Sequence, residues 1–176
     1  WTWEHQALVR ARVVAGDARL MTDLAMIRGD ILKQPREIEA LAASVVEMRL
    51  KMFKALAEKI PLKPDEFDLK HSPGGIVDIE FVVQYLVLAY AQNTPALTQW
   101  SDVVRLLETL AKAGLLAADA AESLRLAYLA FRSAQHHAGL QRLPGCGNCE
   151  QFLAHRQSVV RVRNQLLPGL PGIEAQ

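Results

Sequence analysis

The sequence predicts an all-α protein, a bundle of about seven helices with at most one very short strand near residues 67–70. Three observations carry that expectation. Apolar residues recur at steps of three and four through most of the 176-residue chain. Glycines and prolines punctuate the pattern between successive segments. Residues 76–91 form an almost unbroken apolar run, too long for a typical strand and too short to span a membrane. Such a run predicts a helix buried around most of its circumference, the kind that occupies the centre of a bundle.

Composition sets outer bounds. Half of the residues are apolar (51%) and 22% are charged, as in ordinary globular proteins. The net charge of +1 gives no strong field for nucleic acid or membrane. The length suits one domain with a sizeable core, expected over residues 1–167, with a mobile tail at 168–176 after Pro168-Gly169 and Pro171-Gly172. No signal peptide opens the chain. Trp1 stands without an initiator Met and directly before a helical pattern, as expected of a segment of something longer.

Taken in order, residues 1–14 predict a first helix with Ala7, Leu8, Ala11 and Val14 as its stripe. Gly16 suits its stop and Asp17 the next N-cap. Leu20, Leu24, Ile27 and Ile31 stripe a second helix up to Gln34-Pro35, where a third is expected to start. Ile38, Leu41, Val45, Met48, Met52 and Ala55 give that third helix the cleanest periodicity in the chain. Pro61 and Pro64 mark a loop. After the central helix, Asn93-Thr94-Pro95 is a break, Ser101 suits an N-cap, and Val104, Leu107 and Ala111 carry a short helix ending at Gly114. Leu124, Tyr128, Phe131 and Ala138 stripe a long helix from about 118 to 141. Residues 143–149 read as a loop, and Phe152, Val159 and Leu166 stripe a last helix from about 150 to 167. Trp1 and Trp3 suit either a surface packed on a preceding domain or a contribution to the core. Arg156, Arg161 and Arg163 give the last helix a basic side, expected to be solvated.

The start of the central helix holds the candidate site. His71-Ser72-Pro73-Gly74-Gly75 turns the chain, and Lys70 stands just before it. Asp78 falls in the first turn, where a carboxylate offsets the helix dipole. Glu80 and Gln84 share one side, nearly opposite Asp78. The residues leave two readings open. Either the glycine-opened helix start faces an anion such as a nucleotide phosphate, or the glycines merely feed a core helix. Gly75 is expected to need an angle open only to glycine, or to let a nucleotide come close. Cys146-Gly147-Asn148-Cys149 has CxxC spacing with His136, His137 and His155 nearby in sequence, but one CxxC lacks the paired motif of a zinc site. Free thiols and no metal site are expected. No phosphate-binding glycine motif, nucleophile–base pair or paired metal-binding carboxylates occur, so no catalytic residue is assigned.

Three blocks carry a family resemblance. Trp1-Thr2-Trp3-Glu4-His5-Gln6-Ala7-Leu8-Val9-Arg10-Ala11-Arg12 resembles the segment that follows the catalytic domain in glutamine synthetase adenylyltransferases. Phe67-Asp68-Leu69-Lys70 with Gly74-Gly75-Ile76-Val77-Asp78-Ile79-Glu80-Phe81 resembles the signature of that family's helical domain. Trp100-Ser101-Asp102-Val103-Val104-Arg105 and Leu143-Pro144-Gly145 fit as well, in the family's order. The Trp-Ser-Asp block is more like the C-terminal, adenylylating half of these bifunctional bacterial enzymes. The resemblance implies a cytoplasmic enzyme that transfers AMP from ATP, with magnesium, to a tyrosine of glutamine synthetase, and that responds to glutamine and the nitrogen-signalling protein PII. It implies catalytic carboxylates in a preceding nucleotidyltransferase domain, so that this portion alone is inactive. It makes Lys70, Gly74, Gly75, Asp78 and Glu80 the residues expected to line the nucleotide site, with no cofactor held tightly by this chain. The related uridylyltransferase of PII carries a similar Gly-Gly signature and is the alternative, as is a stand-alone helical interaction module.

Overall fold

Packing follows from one helix. The computed structural model describes residues 1–57, 62–63 and 65–173; Pro61 and Pro64, and the loop expected there, lie outside the described residues. Helix α4 (Ile76–Tyr90) is buried from Ile76 to Leu88 at every position except Glu80. It touches α1 (Thr2–Arg10), α3 (Ile38–Ala57), α5 (Val103–Lys112), α6 (Ala118–Leu140) and α7 (Cys149–Leu166). Helix α2 (Ala18–Leu32) packs outside this ring, on α1 and on a short 3-10 helix, Pro95–Thr98. A helix apolar around most of its circumference can bury that surface only by being surrounded, and here it is. The chain is all-α, with seven α-helices among the described residues.

Two three-residue strands interrupt the helices. Strand β1 (Glu66–Asp68) is the short strand expected near 67–70. Residues 143–149 are not simply a loop: β2 (Cys146–Asn148) pairs antiparallel with β1, Phe67 facing Gly147. Gly147 permits the close pairing, since a Cβ there would lie 2.9 Å from both the Leu69 and Phe67 side chains. Phe67, Phe131 and Phe152 meet beneath it with ring centroids 5.9, 5.8 and 5.6 Å apart, mostly edge to face.

Several element readings need correction. Helix α1 ends at Arg10, and its inward residues are Gln6 and Val9; Val14 is 84% exposed. The cause is Arg28, whose guanidinium donates to the Leu8 and Val9 carbonyls that a longer helix would use itself. Arg28 also donates to the Thr98 and Trp100 carbonyls, tying α1 and α2 to the Pro95–Thr98 turn. Helix α2 accordingly turns Arg28 and Leu32 inward, while Leu20 and Ile27 of the expected stripe are exposed. Helix α3 starts at Ile38 rather than at Pro35, because the Glu37 carboxylate accepts from the Glu39 and Ala40 amides and caps it. Its seam is narrower than the periodicity suggests: Leu41 and Val45 are buried, Met48 and Met52 half-buried, and Ile38 and Ala55 exposed. Asp102, not Ser101, caps α5 by accepting from the Arg105 amide at 2.9 Å. Val103, Leu106, Leu107 and Leu110 carry the buried face of α5, with Val104 and Ala111 at its edge. Asp17 does cap α2, and Leu124, Tyr128 and Phe131 do face the core from α6.

Candidate functional site

Residues 69–75 link β1 to α4 through a hydrogen-bonded turn. The Lys70 amide donates to Asp68 Oδ1 (2.8 Å), and Ser72 Oγ accepts from the Asp68 amide (3.0 Å). Gly74 takes φ +78°, a left-handed angle that suits glycine, and a Cβ there would lie 2.7 Å from the Arg156 carbonyl oxygen. Gly75 has φ −85°, open to any residue, so its requirement is space: a Cβ would lie 2.8 Å from the Leu69 carbonyl and 3.0 Å from that of Ser72. The group that approaches these glycines is therefore the chain's own backbone.

The amides at the start of α4 are all engaged within the turn. Gly75 donates to Ser72 O, Ile76 to Leu69 O, Val77 to Lys70 O and Asp78 to Gly75 O, at 2.9–3.1 Å. The Gly74 amide donates to Asp78 Oδ2 at 2.7 Å. A helix start binds an anion through free N–H groups, and this one has none to offer. The two glycines feed a core helix.

Asp78 lies in the core with no exposure. Its Oδ1 accepts from Arg49 Nε at 2.7 Å and its Oδ2 from Arg163 Nη1 at 2.5 Å, and both arginines are fully buried. Arg49 reaches on to the His71 carbonyl (2.8 Å), and Arg163 to the Pro171 carbonyl (2.7 Å). One carboxylate thus joins α3, α4, α7, the turn and the segment after α7. Burial pushes the Arg49 pKa down, and Asp78 pulls it back up. The expectation of a solvated basic side on α7 is overturned here. Arg156 and Arg163 are buried, and only Arg161 of the three is exposed. Arg49 escaped the sequence reading, although a signal existed: it continues the Leu41–Val45 step of four on an apolar seam.

Lys70 and Glu80 stand apart from this buried cluster. Lys70 is exposed at the lip of the turn. Glu80 pairs with Arg10 of α1, and Gln84 accepts from Gln6 one turn further on, so the side shared by Glu80 and Gln84 faces α1. His71 is half-buried; burial lowers its pKa, and Asp68 opposes that shift. Cys146 and Cys149 are both free thiols, and no group of three or more His, Cys, Asp or Glu is placed to hold a metal among the described residues. Trp1 and Trp3 are exposed rather than part of the core. No described helix is long and apolar enough to cross a membrane.

This arrangement has known relatives. Residues 41–143 match the sequence model of the family described as GlnD PII-uridylyltransferase. The chain is also 43% identical, over 96% of its length, to the bifunctional glutamine synthetase adenylyltransferase/adenylyl-removing enzyme of Pseudomonas aeruginosa, and it spans 18% of that protein's length. With more than half of its residues under the family model, and with that likeness running along nearly all of it, the chain belongs to the helical-domain family described as GlnD PII-uridylyltransferase.

Proposed function

We propose that this chain is the helical domain of the adenylylating half of a glutamine synthetase adenylyltransferase, flanking the active site of a preceding nucleotidyltransferase domain. The full enzyme would transfer AMP from ATP to a tyrosine of glutamine synthetase in the bacterial cytoplasm, under the influence of PII. The observation that carries this reading is the 43% identity across 96% of the chain to a protein of that name.

In this proposal the five residues of the turn and the first turns of α4 divide the work. Asp78, held between Arg49 and Arg163, fixes the shape of the turn together with Gly74 and Gly75. Lys70 presents its ammonium group outward, where it can meet a phosphate. Glu80, held by Arg10, keeps the start of α4 docked on α1 at the edge of the site. Magnesium needs several oxygen ligands, and Asp78 does not fit it, since both its oxygens are taken by arginines; no group of three or more His, Cys, Asp or Glu is placed to hold a metal among the described residues. Metal binding and the transfer step are left to the nucleotidyltransferase domain, and the isolated chain should transfer nothing.

A second reading, the helical domain of a PII uridylyltransferase, draws support from the description of the family model. The two are separated by offering the full-length enzyme labelled ATP with glutamine synthetase, and labelled UTP with PII. AMP on glutamine synthetase supports the first reading. UMP on PII alone would replace it with the second, and labelling by the isolated chain would put the chemistry in the wrong domain.

A further inference from the structure

Four arginines of this chain are nearly or fully buried: Arg28, Arg49, Arg156 and Arg163. Three are held by a carboxylate or by several carbonyls, although Arg49 Nη1 is itself buried without a partner among the described residues. Arg28 donates to four carbonyls, and Arg49 and Arg163 share the Asp78 carboxylate. Arg156 is different. Only 6% exposed, it donates from Nε to the Pro73 carbonyl at 3.3 Å and from Nη1 to Cys149 Sγ at 3.5 Å, neither of them a charged acceptor. Its guanidinium lies 4.4 Å from the centroid of the Phe67 ring. Among the described residues no carboxylate faces it, and its Nη2 has no hydrogen-bond partner. A cation removed from water in this way is costly unless something anionic answers it.

Arg156 also lines a groove of about 930 Å³ between α7, β1 and the turn at Pro73, a size suited to a small molecule. Phe67, Pro73, Leu153 and Val160 give it apolar walls, and Gln157 stands at its exposed side. Of its two carboxylates, Glu66 is paired with Lys63, and Glu150 stands near the N-terminal end of α7, a turn or more from Arg156. Among the described residues, the buried Arg156 is a groove cation with no carboxylate partner. We propose that this groove binds a small ligand carrying one anionic group, a carboxylate or a phosphate monoester, on an apolar body. The anion sits on the Nη edge of Arg156, displacing the weak thiol contact, and the body lies against Phe67, Pro73, Leu153 and Val160. Planar, bidentate recognition of such oxyanions is what a fixed guanidinium does best.

The test is an amide-detected NMR titration of the protein with benzoate, phenyl phosphate, inorganic phosphate and the uncharged benzamide. Benzoate or phenyl phosphate should shift the amides of Phe67, Gln157 and Val160, with benzamide binding at least about tenfold more weakly. The tighter of the two anions identifies the source as carboxylate or phosphate, and inorganic phosphate, lacking the apolar body, should bind more weakly than phenyl phosphate. Arg156→Gln should abolish the difference between benzoate and benzamide. Because that variant removes a buried group, Gln157→Glu, at an exposed position, carries the test independently. It adds a like charge beside the anion and should weaken benzoate or phenyl phosphate by about threefold or more while leaving benzamide unchanged. Equal binding of benzoate and benzamide, no shifts in the groove with either organic anion, or an unchanged affinity in Gln157→Glu would each overturn the proposal.

Discussion

Replacing Asp78 by Asn should unlock the base of α4. The carboxylate accepts three hydrogen bonds, from Arg49 Nε, Arg163 Nη1 and the Gly74 amide, at 2.7, 2.5 and 2.7 Å, and none of the three side chains is exposed. Asparagine keeps one acceptor oxygen and sets an NH2 group against a guanidinium, donor facing donor. It also leaves two buried positive charges with no negative partner. Removing one member of a buried ionic cluster costs about 3–5 kcal/mol, a large part of the roughly 5–15 kcal/mol that holds a domain folded. For a chain of this length each kcal/mol moves the melting temperature by about 2–4 °C, so Asp78→Asn should melt about 6–20 °C lower. Circular dichroism at 222 nm, by heating and by urea, measures this directly. Glu80→Gln is the comparison. It breaks the pair with Arg10, whose side chain is 39% exposed, and should cost no more than about 1 kcal/mol. If Asp78→Asn melts within about 2 °C of the wild type, the buried cluster is not what braces the turn.

Three further outcomes are expected. Gly74→Ala places a Cβ against the Arg156 carbonyl at a left-handed angle and should destabilise by about 1–3 kcal/mol, seen as a lower urea midpoint at unchanged slope. Burial holds the folded-state pKa of His71 below its unfolded value near 6.5. The unfolded chain therefore takes up the proton first, and stability should fall as the pH drops below about 6.5 toward the folded-state value. His71→Gln should flatten that decline, and His5, also shifted down by burial, should contribute in the same direction. Elemental analysis of the purified protein should find far less than one zinc per chain, and a chelator should leave the melting temperature unchanged; stoichiometric zinc would show that Cys146 and Cys149 belong to a metal site.

What the sequence revealed and what it hid have physical causes. The central helix was legible because a long apolar run has one stable environment, and Leu124, Tyr128 and Phe131 were legible because local periodicity alone decides their face. Asp17 was legible because a cap acts over two or three residues. The buried ionic cluster was not, since Asp78 meets Arg49 across 29 residues and Arg163 across 85. No local pattern records such a pairing. Arginines repeated on a helix look like a solvated face until a distant carboxylate or carbonyl is placed beside them. Strand β2 was hidden for the same reason, because its partner β1 lies far back in the chain and both are only three residues long. Helix α1 misled because its inward residues include Gln6, which donates to Gln84, so its buried side is partly polar. At the glycine turn the sequence left two readings open, and the engaged amides support the one in which the glycines feed a core helix.

In the proposed function a braced turn holds Lys70 toward the nucleotide of a neighbouring catalytic domain. AMP transfer to glutamine synthetase by the full-length enzyme, native against Lys70→Ala, tests it most directly when the melting temperatures are measured alongside. Lys70 is exposed and its side chain takes part in none of the turn's hydrogen bonds, so the substitution should change stability by less than about 0.5 kcal/mol. Loss of a charge-assisted contact to phosphate should lower transfer by about tenfold or more. Full transfer activity in Lys70→Ala, or a loss only in proportion to unfolding, would contradict the account and leave the turn as a structural hinge.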